Sequence, residues 1–241
     1  MSKGEKLDRL IADQLQATLH RAIIGREIIV LKQTGSTNDA ILQVASTQGA
    51  AVSSPPSLPD NGLVLFAEHQ TAGRGQRGNR WESTAGKGLW FSILLRPKIQ
   101  LSDSARLTIW AIEAISAVIR TELDLKPAIK LPNDVQLYGY KVAGVLVEMR
   151  AQEKAPHLAV VGIGVNVNQS RDDFPAELQD RAISLAMALG RQVDRQNFAV
   201  ALLRNLDLTY REKFSKRGVG LSSSPAPTTI RDKRAAKFRT A

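Results

Sequence analysis

Glu68-His69-Gln70-Thr71-Ala72-Gly73-Arg74-Gly75-Gln76-Arg77-Gly78-Asn79-Arg80-Trp81 is the stretch on which the reading of this 241-residue chain turns. Gly73, Gly75 and Gly78 fit the spacing G-x-G-x-x-G, and the apolar run at 63–67 before them predicts a buried strand. A dinucleotide-binding turn needs a helix that begins within the glycines, so that its N-terminus meets a pyrophosphate. Residues 79–87 are instead rich in Gly, Ser and Thr, and they lead into a second predicted strand at 88–95. Arg74 and Arg77 also hold two of the variable positions. The context argues against a Rossmann turn.

Another chemistry fits the same residues. Glycine lets backbone amides approach an anion closely. Arg74, Arg77 and Arg80 add guanidinium groups suited to bidentate contact with phosphate or carboxylate. The segment reads as a loop that closes over a phosphorylated or adenylated ligand, with a solvated basic turn as the plainer alternative. A second feature is Lys130-Leu131-Pro132-Asn133-Asp134, where Pro132 biases Leu131 toward extended geometry and sets Lys130 at the end of a short strand. Framed by Ile129 and Leu131, that lysine is either partly buried with an anionic partner or an edge-strand lysine beside an Asx turn.

Working outward, Leu7, Leu10, Ile11, Leu15 and Leu19 predict an amphipathic helix over 7–20, and 27–31 a short strand. Ser36-Thr37-Asn38-Asp39 supplies N-cap residues for a helix reaching Val44. Residues 50–61, with three prolines and three serines, predict a surface loop. Ser102 is placed to cap a helix carrying Leu107, Trp110, Ala111, Ala114, Ile115 and Val118 on one face. Residues 135–138 and 141–150 predict a hairpin turning at Gly139. In the strand predicted over 158–168, Val161, Ile163, Val165 and Val167 alternate with Gly162, Gly164, Asn166 and Asn168. Residues 180–189 and 195–214 predict helices. Mixed hairpins and helices imply an α+β fold, a mixed and mostly antiparallel sheet flanked by helices. The boundaries expected are a folded domain over 1–216 and a basic tail over 217–241, beyond the last apolar periodicity.

Hydrophobic residues make up 43% and charged residues 23%, an ordinary globular balance. No run approaches the ~18 apolar residues of a membrane span, and the N-terminus lacks a signal-peptide core. The absence of cysteine excludes disulfides, thiolate metal sites and a thiol nucleophile. A cytoplasmic protein without a membrane partner is expected. The net charge of +10 invites a nucleic-acid reading. Residues 211–241 hold nine Lys or Arg and two acids, a net of +7, which leaves +3 for the first 210 residues (24 basic minus 21 acidic). The excess lies in the tail, where charge runs are more often solvated than bound.

At this point the chain resembles the biotin protein ligases, the biotin–[acetyl-CoA-carboxylase] ligases, over roughly 28–214. The resemblance rests on Ser36-Thr37-Asn38, on Gln70 with the loop GRGQRGNRW, and on KLPND at 130–134, KVAGVLVE at 141–148 and GIGVNVN at 162–168, in that order. It implies a seven-stranded mixed sheet of the class II aminoacyl-tRNA synthetase and biotin ligase type, with biotin in a pocket on the sheet. Ser36, Thr37, Asn38 and Gln70 match positions that hydrogen-bond biotin's ureido ring. Gly73, Arg74, Gly75 and Gln76 match the loop that folds over biotin and phosphate, with Arg77, Arg80 and Trp81 toward the nucleotide. Lys130 matches the lysine against the reacting carboxylate and α-phosphate, and with Arg74 forms the expected catalytic pair. Asn133, Lys141 and Asn166 are nucleotide candidates, and Gly144, Gly162 and Gly164 suit a sheet face that leaves room for a ligand. No protein metal site is expected.

The implied activity is ATP-dependent formation of biotinyl-5'-AMP and transfer of biotin to a lysine of a biotin carboxyl carrier protein, with Mg²⁺ accompanying ATP. The expected assembly is a monomer or homodimer. Two departures stand inside the motifs: Gln76 replaces an arginine common in relatives, for which Arg77 or Arg80 would compensate, and Leu131 replaces the usual tryptophan. Outside them, roughly 25 residues precede the first strand and about 25 follow the last helix, too few for the family's helix-turn-helix and C-terminal barrel domains, so operator-specific DNA binding is not expected. The alternatives are a lipoate protein ligase and a noncatalytic biotin-binding relative. An octanoyltransferase is excluded because its acyl intermediate needs a cysteine.

Overall fold

A computed structural model describes residues 9–19, 22–47, 61–153 and 156–215. The expected loop at 50–60 and the tail at 217–241 lie outside the described residues. Seven strands form one sheet: β1 (Glu27–Leu31), β2 (Leu63–Ala67), β3 (Gly88–Leu95), β4 (Ala128–Lys130), β5 (Asp134–Leu137), β6 (Tyr140–Arg150) and β7 (Leu158–Asn166). Their spatial order is β1-β2-β3-β7-β6-β5-β4. Only β1 and β2 pair in parallel; every other neighbouring pair is antiparallel. The expected mixed, mostly antiparallel sheet is the one observed.

Helices cover the two faces unequally. α3 (Ala105–Leu123) and α5 (Arg195–Tyr210) bury one face against Val64, Phe66, Phe91, Ile93 and the predicted row Val161, Ile163, Val165 and Val167. On the other face α2 (Thr37–Thr47) packs Ala40 and Ile41 onto Leu63, Leu65, Leu94 and Val160 only. Because both faces of β2 and β3 are covered, these strands read as continuous apolar runs and are buried throughout. Beyond α2, no helix among the described residues covers the glycines of β6 and β7 on this face. That uncovered part of the face is where the site lies.

Several local expectations are corrected. Ser102 lies in a 3₁₀ turn, Leu101–Asp103, and the long helix starts after Ser104, whose hydroxyl makes no capping bond. The first helix, α1, is confined to Ala12–Ala17, because Leu10 N–H and Ile11 N–H are taken by the side chains of Glu68 and Gln196. Of 180–189, only Leu185–Leu189 (α4) is helical, begun by Ser184 accepting from Met187 N–H. Strand β7 stops at Asn166, and Asn168 instead ties both ends of its carboxamide to the backbone of Val193. The predicted hairpin is present, and Tyr138 and Gly139 both have positive φ, at 54° and 86°, as a type I′ turn requires.

Two acids hold the frame that carries the site. Arg195, fully buried at the start of α5, pairs with Glu68 at 2.6 Å, just past the end of β2. Asp207 accepts from the backbone N–H groups of Ile23 and Ile24 at 2.7 and 2.9 Å, fastening the segment before β1 to α5. An Asp207→Ala change leaves both donors without their acceptor, one of them fully buried. The expected loss is about 2–3 kcal/mol of unfolding free energy, and about half of that for Asp207→Asn, read from urea denaturation.

Candidate functional site

The site begins where α2 starts. Ser36, Thr37 and Asn38 are 5%, 4% and 3% exposed, three consecutive polar residues buried in the first helical turn. An isolated parallel bridge between Thr34 and Gln70 extends the β1–β2 pairing and brings Gln70 alongside them. Gln70 Oε1 accepts from Thr37 N–H at 2.8 Å and lies 3.1 Å from the Thr37 hydroxyl. Ser83 clamps the Gln70 backbone, accepting from its N–H and donating to its carbonyl, both at 2.8 Å.

The loop after Gln70 folds back on itself. Trp81 N–H donates to Gly73 C=O at 2.9 Å and Gly75 N–H to Asn79 C=O at 2.7 Å, around a tight turn in which Arg77 and Gly78 have positive φ. No helix starts at the glycines; a 3₁₀ turn at Gln76–Gly78 and then β3 follow, as the sequence context required. Arg74 reaches across the uncovered sheet face to Asp39 Oδ1 at 2.7 Å and Glu148 Oε2 at 2.9 Å.

Trp81 forms a wall. Its ring lies over Gly144 and Gly164, which are directly paired between β6 and β7, and meets Trp90 edge-on at 5.9 Å. Lys141 Nζ sits 5.2 Å from the ring centroid and pairs with Asp134 Oδ1 at 2.6 Å. A Cβ at 164 would come within 2.5 Å of Trp81 Cε2, and one at 144 within 2.9 Å of Cζ3; at 162 it would collide with Asn38 Oδ1. The expected room over these glycines is therefore filled, by Trp81 over Gly144 and Gly164 and by Asn38 over Gly162.

Two hollows meet at this wall. The narrower, of about 430 Å³, is lined by Ser36, Thr37, Asn38, Gln70, Arg74, Gly75, Gly144 and Gly164 among others. The larger, of about 1130 Å³, is lined by Arg80, Lys130, Asn166 and Arg181, with Trp81 and Lys141 shared between the two. Eight of the expected biotin residues thus converge on the narrow cleft, whereas Gly73 and Gln76 do not line it. Arg77 lines neither hollow, and Asn133 belongs to the narrow one, where its Nδ2 donates to Val145 C=O at 3.1 Å. Asn166 is buried, donating to Lys141 and Ile183 carbonyls and accepting from Gln169, so its carboxamide is already engaged as a brace.

Of the two readings left open for Lys130, the edge-strand one is observed. The lysine ends β4, an edge strand exposed along its whole length, and it lines only the larger hollow. Neighbouring Ile129 and Leu131 are 41% and 69% exposed, so they cannot screen it from water. Among the described residues it makes no ion pair, unlike Arg74, Lys141 and Arg80, the last of which is held by Glu82 at 3.0 Å. Three contributors escaped the sequence reading. Ser92 was legible as the lone hydroxyl within the apolar octapeptide of β3, and it donates to Asn38 Oδ1 at 2.6 Å. Glu148 and Asp39 carried no signal beyond belonging to quoted motifs.

A profile for the biotin/lipoate A/B protein ligase family matches residues 41–166, just over half of the chain. The chain belongs to that family. Among similar members is a biotin--[acetyl-CoA-carboxylase] ligase of Mycobacterium tuberculosis, 34% identical over 209 residues that cover 83% of this chain and 72% of that protein. The bifunctional ligase/repressor BirA of Bacillus spizizenii is 38% identical over 208 residues, 86% of this chain. The chain spans 61% of the length of the Bacillus spizizenii and Bacillus subtilis relatives. A biotin protein ligase from Aquifex aeolicus solved with biotin and ATP superposes with a TM-score of 0.63 at 31% identity, covering 78% of this chain and 72% of that one. The ligase-family fold expected from the motifs is thereby shown.

In this family member the tryptophan wall depends on the bare backbone beneath it. A Gly164→Ala change should lift the Trp81 ring at a cost of roughly 1–3 kcal/mol. The expected readout is a red-shifted tryptophan emission that is absent when the same change is made in a Trp81→Phe background.

Proposed function

We propose that the chain is a biotin protein ligase that forms biotinyl-5'-AMP from biotin and ATP and passes biotin to a lysine of a biotin carboxyl carrier protein. One observation carries the reading. The narrow cleft is uncharged and hydrogen-bonding where Ser36, Thr37, Asn38 and Gln70 line it, and it adjoins a hollow where four cations, Lys130, Arg80, Lys141 and Arg181, outnumber the three acids Glu82, Asp134 and Asp180. Such a site suits a ligand with a neutral polar head and an anionic tail, set beside a polyphosphate. Relatives named as biotin ligases, one of them solved with biotin and ATP, support the same choice.

In the first step a biotin carboxylate oxygen bonds to the α-phosphorus, and the bond to the β-phosphate oxygen breaks with pyrophosphate leaving. Both reactants are anions, so the cationic side of the site offsets their repulsion and the charge that builds on the transferring phosphate. Lys130 is assigned this role because it has no carboxylate to leave first. Arg74 joins it by exchanging Asp39 and Glu148 for the ligand. In the second step the carrier's lysine amine attacks the acyl carbon, AMP departs and the amine loses a proton; no enzyme nucleophile is needed. Magnesium would enter on the triphosphate, held by phosphate oxygens. The described residues contain no group of three His, Cys, Asp or Glu side chains that would hold it independently. We assign 1–216 to the catalytic unit and 217–241 to a basic tail on composition. Among the described residues no helix is long and apolar enough to cross a membrane, and we assign the enzyme to the cytoplasm, where ATP is available.

The deciding assay supplies labelled ATP, Mg²⁺, a purified carrier domain and either biotin or lipoate. Adenylate and carrier labelling with biotin are expected; labelling with lipoate alone would overturn the reading, and biotin binding without pyrophosphate release would make the chain a noncatalytic binder. Lys130→Ala is expected to slow adenylation by ~10²-fold or more while leaving folding intact, since the side chain is exposed. Undiminished transfer in that variant would remove Lys130 from the mechanism.

The replacement of an arginine by Gln76 makes a further demand on the loop. Arg80 lines the larger hollow and anchors to Thr71 C=O, whereas Arg77 stands at the exposed tip of the turn. Arg80 is therefore the compensating charge. The bound adenylate should dissociate faster in Arg80→Ala and at the wild-type rate in Arg77→Ala, measured by chasing labelled adenylate from the isolated complex.

A further inference from the structure

We infer that Glu148 is a positioning residue that fixes the orientation of the buried Asn38 carboxamide and, through it, the proton of Ser92, and so fixes which groups that end of the cleft offers to its ligand. The inference rests on the reading that this cleft takes biotin. A carboxamide has a donor end and an acceptor end that differ little in shape, so its orientation is decided by its partners. An ionised carboxylate can only accept. Glu148 Oε2 lies 2.6 Å from Asn38 Nδ2, so the carboxylate draws the NH₂ end of Asn38 toward itself. Asn38 Oδ1 must then face Ser92, whose hydroxyl is 2.6 Å away.

The rest follows from proton counting. A serine hydroxyl has one proton, and Ser92 gives it to Asn38 Oδ1. Only the lone pairs of Ser92 remain for the Thr37 hydroxyl, 2.8 Å away, whose single proton goes either to Ser92 or to Gln70 Oε1 at 3.1 Å. Gln70 Oε1 is met by the fixed backbone N–H of Thr37 at 2.8 Å. Its NH₂ end is thereby the end left for a ligand in the cleft that Gln70 lines. Reversing Asn38 would aim two oxygens at each other beside Glu148 and leave Ser92 facing an amide donor. Ser92 is wholly buried, so no water competes there for its hydroxyl. Glu148 Oε2 also accepts from Arg74 at 2.9 Å, which joins the same carboxylate to the closed loop.

The test compares Glu148→Ala, Glu148→Gln and Ser92→Ala for binding of biotin and of iminobiotin, in which the ureido oxygen is replaced by an imino nitrogen. Wild type must first bind biotin; if it does not, the biotin reading itself falls. Given that binding, Glu148→Ala and Ser92→Ala should each weaken biotin by roughly tenfold or more and reduce the preference for biotin over iminobiotin. Glu148→Gln retains an amide oxygen that accepts from Asn38, and should hold biotin affinity within about threefold of wild type. Unchanged affinity in Ser92→Ala, or losses in Glu148→Gln equal to those in Glu148→Ala, would overturn the inference. A general loosening of the fold would weaken both ligands alike and leave their ratio unmoved, which also overturns it. Should Glu148→Ala fail to fold, Ser92→Ala and Glu148→Gln decide the matter between them.

Discussion

Placing polar side chains against the face of a sheet costs a few kcal/mol for each unmet group, so such groups are strongly favoured to find partners. Thr37 and Asn38 are buried at the head of α2, and their hydrogen bonds draw on Gln70 after β2, Ser92 on β3 and Glu148 on β6. These positions are set by the sheet's order, in which β2, β3, β7 and β6 are successive neighbours. The polar chain crosses that order from one end to the other and passes over the bare glycine at 162. A shift of any strand by one residue would turn its contributor to the opposite face. The same register that builds the core therefore builds the site.

Electrostatics adds a second layer on the same frame. Arg74 is held by two carboxylates and Lys141 by one, each at hydrogen-bonding distance. Lone cations in a cleft would repel one another and hold the loop open; paired, they let it lie closed across the sheet. These pairs are partly exposed, and such pairs contribute only about 0–1 kcal/mol each. An incoming anion with two or three oxygens can therefore replace the protein's own carboxylates without a large penalty. Lys130 needs no such exchange, and its place on an exposed edge strand keeps its charge hydrated until a ligand arrives.

What could be read in advance divides along physical lines. Contiguous signals were legible: the limits of β1, β2 and β3, the Tyr138–Gly139 turn, the polar start of α2 and the non-helical sequel to the glycine loop all depend on near neighbours. Contacts between distant segments were not. Asn38 and Glu148 are 110 positions apart, and nothing local in KVAGVLVE tells a solvent-facing glutamate from one that orients a buried amide. The two readings of Lys130 stayed open for a related reason. Its apolar neighbours suggested shelter, but β4 is the last strand of the sheet, and nothing beyond it covers Ile129 or Leu131 among the described residues. The family motifs named residues of which most line one of the two hollows, while leaving open which hollow each residue served.

Trp81 shows how one side chain can do what sequence patterns assign to a ligand. Small residues in register on β6 and β7 usually indicate that something approaches the backbone closely. Here that something is supplied by the chain itself, because the loop returns through a tight turn and lays an indole on Gly144 and Gly164. The ring's N–H is buried without a protein acceptor among the described residues, so the closed loop carries an unmet donor in the wall between the two hollows. Trp90 supports the ring edge-on from one side and Lys141 from above, so it cannot tilt without disturbing the Lys141–Asp134 pair. Trp81 lines both hollows, so the glycine loop serves as part of the binding surface as well as its cover.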